Sequence, residues 1–114
     1  GGQQALRDIW TNYLSSANHV ILVVDSTDSA RFPVVKYELA KLLRMECLQN
    51  AAMLIFANKQ DVPGAATPAQ LAVELGLTEV RDRKYHVQEC SVLEGRGIEE
   101  GLKWLADACL KPGK

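Results

Sequence analysis

The sequence has few cysteines, no excess of positive charge and no long apolar run, and each shortage excludes a class of protein. Its three cysteines among 114 residues are too few for a disulfide framework and lack the spacing of a metal site, so we expect reduced thiols and a cytoplasmic protein. A formal net charge of −1 argues against a protein that binds nucleic acid through its phosphates. The continuous apolar runs, such as residues 20–24, are far too short to span a bilayer.

Short apolar runs alternate with helical periods along the chain, and this order predicts the fold class. Unbroken apolar segments at residues 19–25 and 53–57, and a third segment at 85–92, are typical of parallel strands covered on both faces. We expect one α/β domain over residues 1–114, in which a parallel sheet of three recognisable strands carries helices on both faces. Apolar spacing predicts those helices at residues 4–15, 32–48, 67–75 and from 98 to the Lys-Pro-Gly at 111–113.

Three local patterns refine this prediction. Thr67 and Gln70 have the spacing of a helix capping box. Leu102 and Leu105 are spaced to face the core from the last helix. The mixed charges at residues 81–84 are typical of a solvated loop.

Polar side chains follow the predicted strands, at the edge where parallel α/β sheets bind their ligands. The loop Asn58-Lys59-Gln60-Asp61 comes directly after a buried strand. The Asp61 carboxylate can accept two hydrogen bonds from guanine, through its ring N–H and its exocyclic amine, whereas adenine has no such donor pair. The stem of Lys59 can lie along the plane of a base, and Asn58 can tie the loop to neighbouring backbone. A polar loop capped by its own side chains is the alternative interpretation.

Two glycine-containing segments add to this candidate site. Ser91 and Val92 end the third strand ahead of Gly95-x-Gly97, and backbone N–H groups there can bind a carbonyl on a purine. An ordinary strand-to-helix turn is the alternative. Near the start of the chain, Gly2 allows close approach of backbone to a phosphate, and Gln3 can orient an attacking water. A cloning remnant is the alternative for the two opening glycines.

In combination these segments resemble the C-terminal part of a small GTPase of the ADP-ribosylation-factor and Arf-like family. The opening Gly-Gly-Gln is similar to the end of the family's switch II motif, Asp-x-Gly-Gly-Gln, and the resemblance continues over essentially the whole chain. The other segments that carry it are residues 6–13, Val23-Val24-Asp25-Ser26-x-Asp28, Phe56-Ala57-Asn58-Lys59-Gln60-Asp61, Gly95-x-Gly97 and Glu100-Gly101-Leu102-x-Trp104-Leu105.

The resemblance implies part of a P-loop NTPase G domain that binds GTP or GDP and hydrolyses GTP. It implies a catalytic role for Gln3, which would position the attacking water. It also implies a switch helix that touches an exchange factor, a GTPase-activating protein and effectors through Leu6, Ile9, Trp10 and Tyr13. The nucleotide-binding residues that it implies are Gly2, Asn58, Lys59, Asp61, Ser91 and Val92.

Several family elements have no counterpart in these residues. The phosphate loop, Gly-x-x-x-x-Gly-Lys-Ser/Thr, does not occur, and switch I with its Mg²⁺-binding threonine is missing. By comparison with the family the chain begins about two-fifths of the way in. We therefore expect no metal ligand here, and we expect Mg²⁺ binding and reversible membrane association to depend on a missing N-terminal part. Recruitment from the cytoplasm to the Golgi, other endomembranes or the cilium is what the resemblance implies. The strand at residues 19–25 would then be an exposed apolar edge.

Two other functions remain open from the residues alone. The chain could be a non-enzymatic interaction module, or an orphan G-domain fragment that does not bind nucleotide by itself. It could also be a receiver-type phosphoacceptor domain using Asp25 and Lys59, but such a site needs an acidic pair near an early strand, and none occurs.

Overall fold

A computed structural model describes residues 19–110, with side chains to residue 108. Its regular elements alternate along the chain as β1 His19–Asp25, α1 Phe32–Leu43, β2 Ala52–Asn58, α2 Pro68–Glu74, β3 Tyr85–Glu89 and α3 Ile98–Leu110. The three strands are parallel in the order β1-β2-β3. The predicted α/β class with a three-stranded parallel sheet is therefore confirmed. The predicted helix at residues 4–15 lies outside the described residues.

The sheet register aligns the carboxyl ends of the strands. His19 of β1 pairs with Ala52 of β2, and the register continues to Asp25 opposite Asn58. On the other side of β2, Ala57 pairs with Glu89 of β3. The loops that follow the three strands consequently leave the sheet at the same edge.

The core lies on both faces of β2, whose residues are buried up to Asn58. On one face, β2 packs with α1 and α2 around Leu39, Ile55 and Leu71. On the other face, α3 packs through Leu105 against the cluster that contains Phe56. This two-sided burial explains why β2 has an unbroken apolar sequence.

The prediction that β1 is buried on both faces is wrong. Ile21 and Val23 are 44% and 57% exposed, whereas Val24, pointing to the other face, is buried in the cluster with α1. The physical reason is that α3 packs against β2 and β3 and leaves the corresponding face of β1 open. Within residues 19–110, β1 is an apolar edge strand.

The first helix ends earlier than predicted because a distant arginine binds its end. α1 stops at Leu43, and a separate 3₁₀ turn covers Glu46–Leu48. The Arg83 guanidinium donates to the carbonyls of Leu43 and Leu48 at 2.9 and 3.0 Å. Its side chain is only 4% exposed, so the prediction of a solvated loop at residues 81–84 is wrong for Arg83.

The other local predictions have mixed outcomes. The capping box is confirmed, since Thr67 and Gln70 exchange both of its hydrogen bonds. Leu105 faces the core as predicted, but Leu102 is 45% exposed. Gly101 is buried instead, because α3 lies so close to Phe56 that a Cβ at Gly101 would stand 2.5 Å from its ring. The third strand ends at Glu89 rather than at residue 92.

Within the described range, α1, α2 and α3 are all too short or too polar to cross a bilayer. The same residues contain no group of three or more His, Cys, Asp or Glu side chains that could hold a metal ion.

Candidate functional site

Three loops meet at the carboxyl edge of the sheet, and backbone hydrogen bonds tie them together. The turn after β1 is joined to the loop after β2 by the Ser26 N–H, which donates to the Asn58 carbonyl at 3.1 Å, and by the Ala66 N–H, which donates to the Ser26 carbonyl at 2.9 Å. The loop after β2 is joined to the turn after β3 by the Gln60 N–H, which donates to the Cys90 carbonyl at 3.1 Å. The site therefore has a preformed backbone frame.

The Asp61 carboxylate is oriented by a buried serine. Ser91 is fully buried, and its hydroxyl donates to Asp61 Oδ1 at 2.7 Å. The Ser91 oxygen in turn accepts a hydrogen bond from the Glu94 N–H at 3.1 Å. Across residues 19–110 no hydrogen bond reaches the second carboxylate oxygen, Asp61 Oδ2. Asp61 thus has a fixed orientation and unused acceptor capacity, which suits a ligand with paired N–H donors.

Asn58 joins the second and third loops. Its Oδ1 accepts from the Val92 N–H at 3.0 Å and lies 3.6 Å from the Cys90 thiol. Burial raises the pKa of that thiol, so Cys90 is protonated at neutral pH and can act as a weak donor. The predicted role of Asn58, tying its loop to neighbouring backbone, is the role that the geometry gives it.

The backbone donors of Ser91 and Val92 are already used in this structure, and this changes how they could contact a purine. The Ser91 N–H donates to the Arg96 carbonyl at 3.0 Å, and the Val92 N–H donates to Asn58 Oδ1. A base carbonyl would have to share or displace one of these bonds. The Ser91 side chain, through Asp61, is the more direct contribution, and the sequence pattern did not indicate it.

Lys59 is held by an acidic residue at the end of the neighbouring strand. Its φ of +68° is left-handed, and its Nζ lies 2.9 Å from Asp25 Oδ2. Asp25 Oδ1 accepts from the Thr27 hydroxyl at 2.6 Å and from the Thr27 N–H at 2.9 Å. These bonds and that to Lys59 lower the pKa of Asp25 to about 2. Sequence reasoning brought Asp25 and Lys59 together only as a possible receiver-type site, and it did not predict that they form an ion pair.

A glycine closes the turn that carries Ser91. Ser91 and Arg96 exchange two backbone hydrogen bonds of 3.0 Å, and Gly97 follows with a φ of +83°. A Cβ at Gly97 would stand 2.1 Å from the Glu89 carbonyl oxygen. The chain can therefore pass this close to the end of β3 only with glycine at residue 97.

The remaining predicted residues lie outside the described range. Gly2 and Gln3, predicted to contact phosphate and water, belong to this group. So do the residues of the predicted partner surface, Leu6, Ile9, Trp10 and Tyr13. Their roles stay predictions.

Comparison with known proteins assigns the family. The sequence model of the ADP-ribosylation factor family matches residues 1–109. The chain belongs to that family. It is 47% identical over 105 residues to ADP-ribosylation factor-like protein 5A of Bos taurus, a match that covers 92% of this chain and 59% of the relative. It is 46% identical over 107 residues to ADP-ribosylation factor-like protein 1 of Saccharomyces cerevisiae, covering 94% and 58%.

These matches confirm the resemblance to an Arf or Arf-like small GTPase and remove the receiver-type interpretation. A third relative, ADP-ribosylation factor-like protein 3 of Chlamydomonas reinhardtii, is 41% identical over 105 residues, again covering 92% of this chain and 59% of the relative. The chain spans about three-fifths of the length of the relatives it matches. The three-stranded parallel sheet is consistent with part of a P-loop GTPase domain of this family.

Proposed function

We propose that this chain supplies the guanine-recognition part of an Arf-family switch that binds GTP and GDP. The observation that carries the proposal is the 2.7 Å hydrogen bond from the buried Ser91 hydroxyl to the partly buried Asp61 carboxylate. It leaves one oxygen of a well-oriented carboxylate free of hydrogen bonds from residues 19–110. The family match over residues 1–109 supports the same assignment independently.

Selectivity for guanine follows from the hydrogen-bonding capacity of Asp61. The guanine ring N–H and exocyclic amine form a donor pair that a carboxylate can accept side by side. Adenine has a ring nitrogen without hydrogen at the corresponding position, so it would leave Asp61 desolvated and unpaired. Such a loss costs about 1–3 kcal/mol, which corresponds to roughly 5- to 150-fold in affinity. Asn58 and Cys90 support the site by joining its loops rather than by touching the base.

The rest of the proposed cycle rests on family membership. Gln3 would orient the water that attacks GTP, and Gly2 would approach the phosphate. The predicted helix that bears Trp10 and Tyr13 would contact an exchange factor, a GTPase-activating protein and effectors that the bound nucleotide selects. The Mg²⁺ ligands of the family would lie in segments that these 114 residues do not contain, switch I among them. We also propose a cytoplasmic protein recruited reversibly to Golgi, other endomembranes or the cilium.

A substitution that changes one oxygen of the Asp61 carboxylate to an amide NH₂ group tests base recognition. Asp61→Asn replaces one acceptor by a donor, so we expect the preference for GTP over XTP to reverse in the native polypeptide that carries this chain. Competition of the two nucleotides against fluorescent GDP measures the ratio. Asp107→Asn, which removes the same charge from α3, is the matched control and should keep the wild-type ratio. An unchanged ratio in Asp61→Asn would overturn the proposed site.

A second candidate is an interaction module that does not bind nucleotide by itself. Phosphate contacts supply much of the affinity at such sites. Denaturing the purified protein and identifying the released nucleotide by ion-exchange chromatography separates the two candidates. Near-stoichiometric GDP or GTP supports the switch. No released nucleotide, together with no binding of added GDP, supports the module.

A further inference from the structure

We propose that Asp25 is a positioning residue for guanine-nucleotide binding, which acts by holding Lys59 beside Asp61. This inference rests on the proposed function. It adds Asp25, the last residue of β1, to the candidate site. Asp25 belongs to neither the loop of residues 58–61 nor the Ser91 turn. It reaches the site because β1 and β2 pair in parallel register, with Asp25 opposite Asn58.

Lys59 needs an external partner because of where its backbone places it. A left-handed φ, +68° here, is uncommon for a residue with a side chain and persists only where neighbouring contacts determine it. Two neighbouring residues make contacts of this kind. The adjacent Asn58 carbonyl accepts from the Ser26 N–H, and the Lys59 Nζ lies 2.9 Å from Asp25 Oδ2. Asp25 is the last residue of β1, and Ser26 begins the turn that follows it.

Asp25 is itself fixed before it contacts the lysine. The hydroxyl and the N–H of Thr27 both donate to Oδ1, at 2.6 and 2.9 Å, which leaves Oδ2 for Lys59. A lysine that ends in open solvent has many rotamers, and ordering it on ligand binding weakens that binding. Pairing with a fixed carboxylate orders the side chain beforehand. The lysine side chain is then ordered in the loop that carries Asp61 before a base arrives.

The size of the effect follows from the partial exposure of the pair. The Lys59 side chain is 51% exposed and that of Asp25 36%, so the ion pair itself is weak. The main gain is the preordered side chain. Loss of that order should raise the Kd for GDP about two- to tenfold, mainly through faster dissociation.

Four variants of the native polypeptide test this inference against fluorescent GDP, namely Asp25→Asn, Asp28→Asn, Lys59→Met and the double variant Asp25→Asn/Lys59→Met. Asp25→Asn should raise the dissociation rate about two- to tenfold. Asp28→Asn removes the same charge from the turn that follows β1 and leaves the 2.9 Å pair between Lys59 and Asp25 in place. Asp28 pairs with Arg31 and its charge acts on Lys59 less strongly than that of Asp25, so this variant should stay closer to wild type. In a Lys59→Met background, which keeps the stem and removes the ammonium, Asp25→Asn should have no further effect on dissociation.

The double-mutant cycle separates positioning from a structural role of the turn. If Asp25→Asn accelerates GDP dissociation as much in the Lys59→Met background as in wild type, Asp25 acts through the Thr27 turn and the inference is wrong. It is also wrong if Asp25→Asn and Asp28→Asn behave alike while Asp61→Asn still reverses the GTP/XTP preference. If wild type binds no guanine nucleotide, the proposed function fails first, and this inference fails with it.

Discussion

Two glycines of one turn should respond to the same substitution with losses of stability of different size. Gly95 and Gly97 are both left-handed, with φ of +71° and +83°. A Cβ at Gly95 would meet nothing within 4 Å, whereas at Gly97 it would stand 2.1 Å from the Glu89 carbonyl oxygen and 2.9 Å from the Cys90 Cα. Gly95→Ala therefore adds backbone strain alone. Gly97→Ala adds the same strain and a collision with backbone.

The magnitudes follow from these two contributions. A left-handed backbone costs a non-glycine residue about 1–2 kcal/mol. Replacing glycine by alanine also lowers the conformational entropy of the unfolded chain, and this offsets about 0.4–1 kcal/mol of that cost. Gly95→Ala should therefore lower the free energy of unfolding by about 1 kcal/mol. Forcing a side chain into filled space adds about 1–3 kcal/mol. Gly97→Ala should lower it by about 2–4 kcal/mol, because the obstacle is a carbonyl of β3 and not a side-chain end.

Urea unfolding of the two variants measures this difference directly. In thermal melts, about 4 °C of Tm corresponds to 1 kcal/mol for a domain of this size. The collision also involves the segment that leads into Ser91, so Gly97→Ala should weaken guanine-nucleotide binding more than Gly95→Ala does. Equal losses of stability in the two variants would refute the reasoning, since only strain would then matter.

Three further predictions concern residues away from that turn. Arg83→Met should lower the free energy of unfolding by about 1.5–3 kcal/mol, since two carbonyls lose a charged donor, whereas the exposed Arg81→Met should change it by less than about 0.5 kcal/mol in urea unfolding. Thr67→Ala should cost about 1 kcal/mol through the lost cap of α2, with Thr78→Ala as the control in the same assay. The pKa of Asp25 falls from 3.8 to about 2 on folding, so its contribution to stability is present above pH 4 and disappears towards pH 2. The stability difference between wild type and Asp25→Asn should therefore narrow below pH 4 in urea titrations.

The fold class could be predicted because its signal is local. Apolar runs and helical periods alternate, and only a parallel sheet with crossover helices accommodates that order. The edge position of β1 was expected from the family comparison, but the exposure of Ile21 and Val23 on one face was not, because the sequence of a strand does not show which of its faces a helix covers. The end of α1 could not be predicted from local sequence, because the residue that binds the Leu43 carbonyl, Arg83, lies 40 residues further along the chain.

The candidate site was predictable to the extent that its residues follow strands. Asn58 and Asp61 were found from their place after β2, and Ser91 from its place after β3. The partners of these side chains were not predictable from position alone. Sequence reasoning assigned Ser91 a backbone role, but its hydroxyl holds Asp61. The left-handed backbone of Lys59 could not be predicted either, because glycine or asparagine usually occupies such a position and residue 59 is a lysine.

The hydrogen bonds and the ion pair within the site suggest how the proposed nucleotide affinity would be divided between base contacts and phosphate contacts. Asp61 is oriented by Ser91, and Lys59 is held by Asp25; all four residues lie in the described range. These contacts are formed entirely among the chain's own residues, so in the proposed switch base recognition would be separate from phosphate binding. In the proposed switch, a change in the phosphates would then alter the phosphate-contacting segment while the base stays anchored to the sheet edge. Loss of Asp61 should accordingly change which base is bound, and leave the discrimination between diphosphate and triphosphate to residues outside this edge.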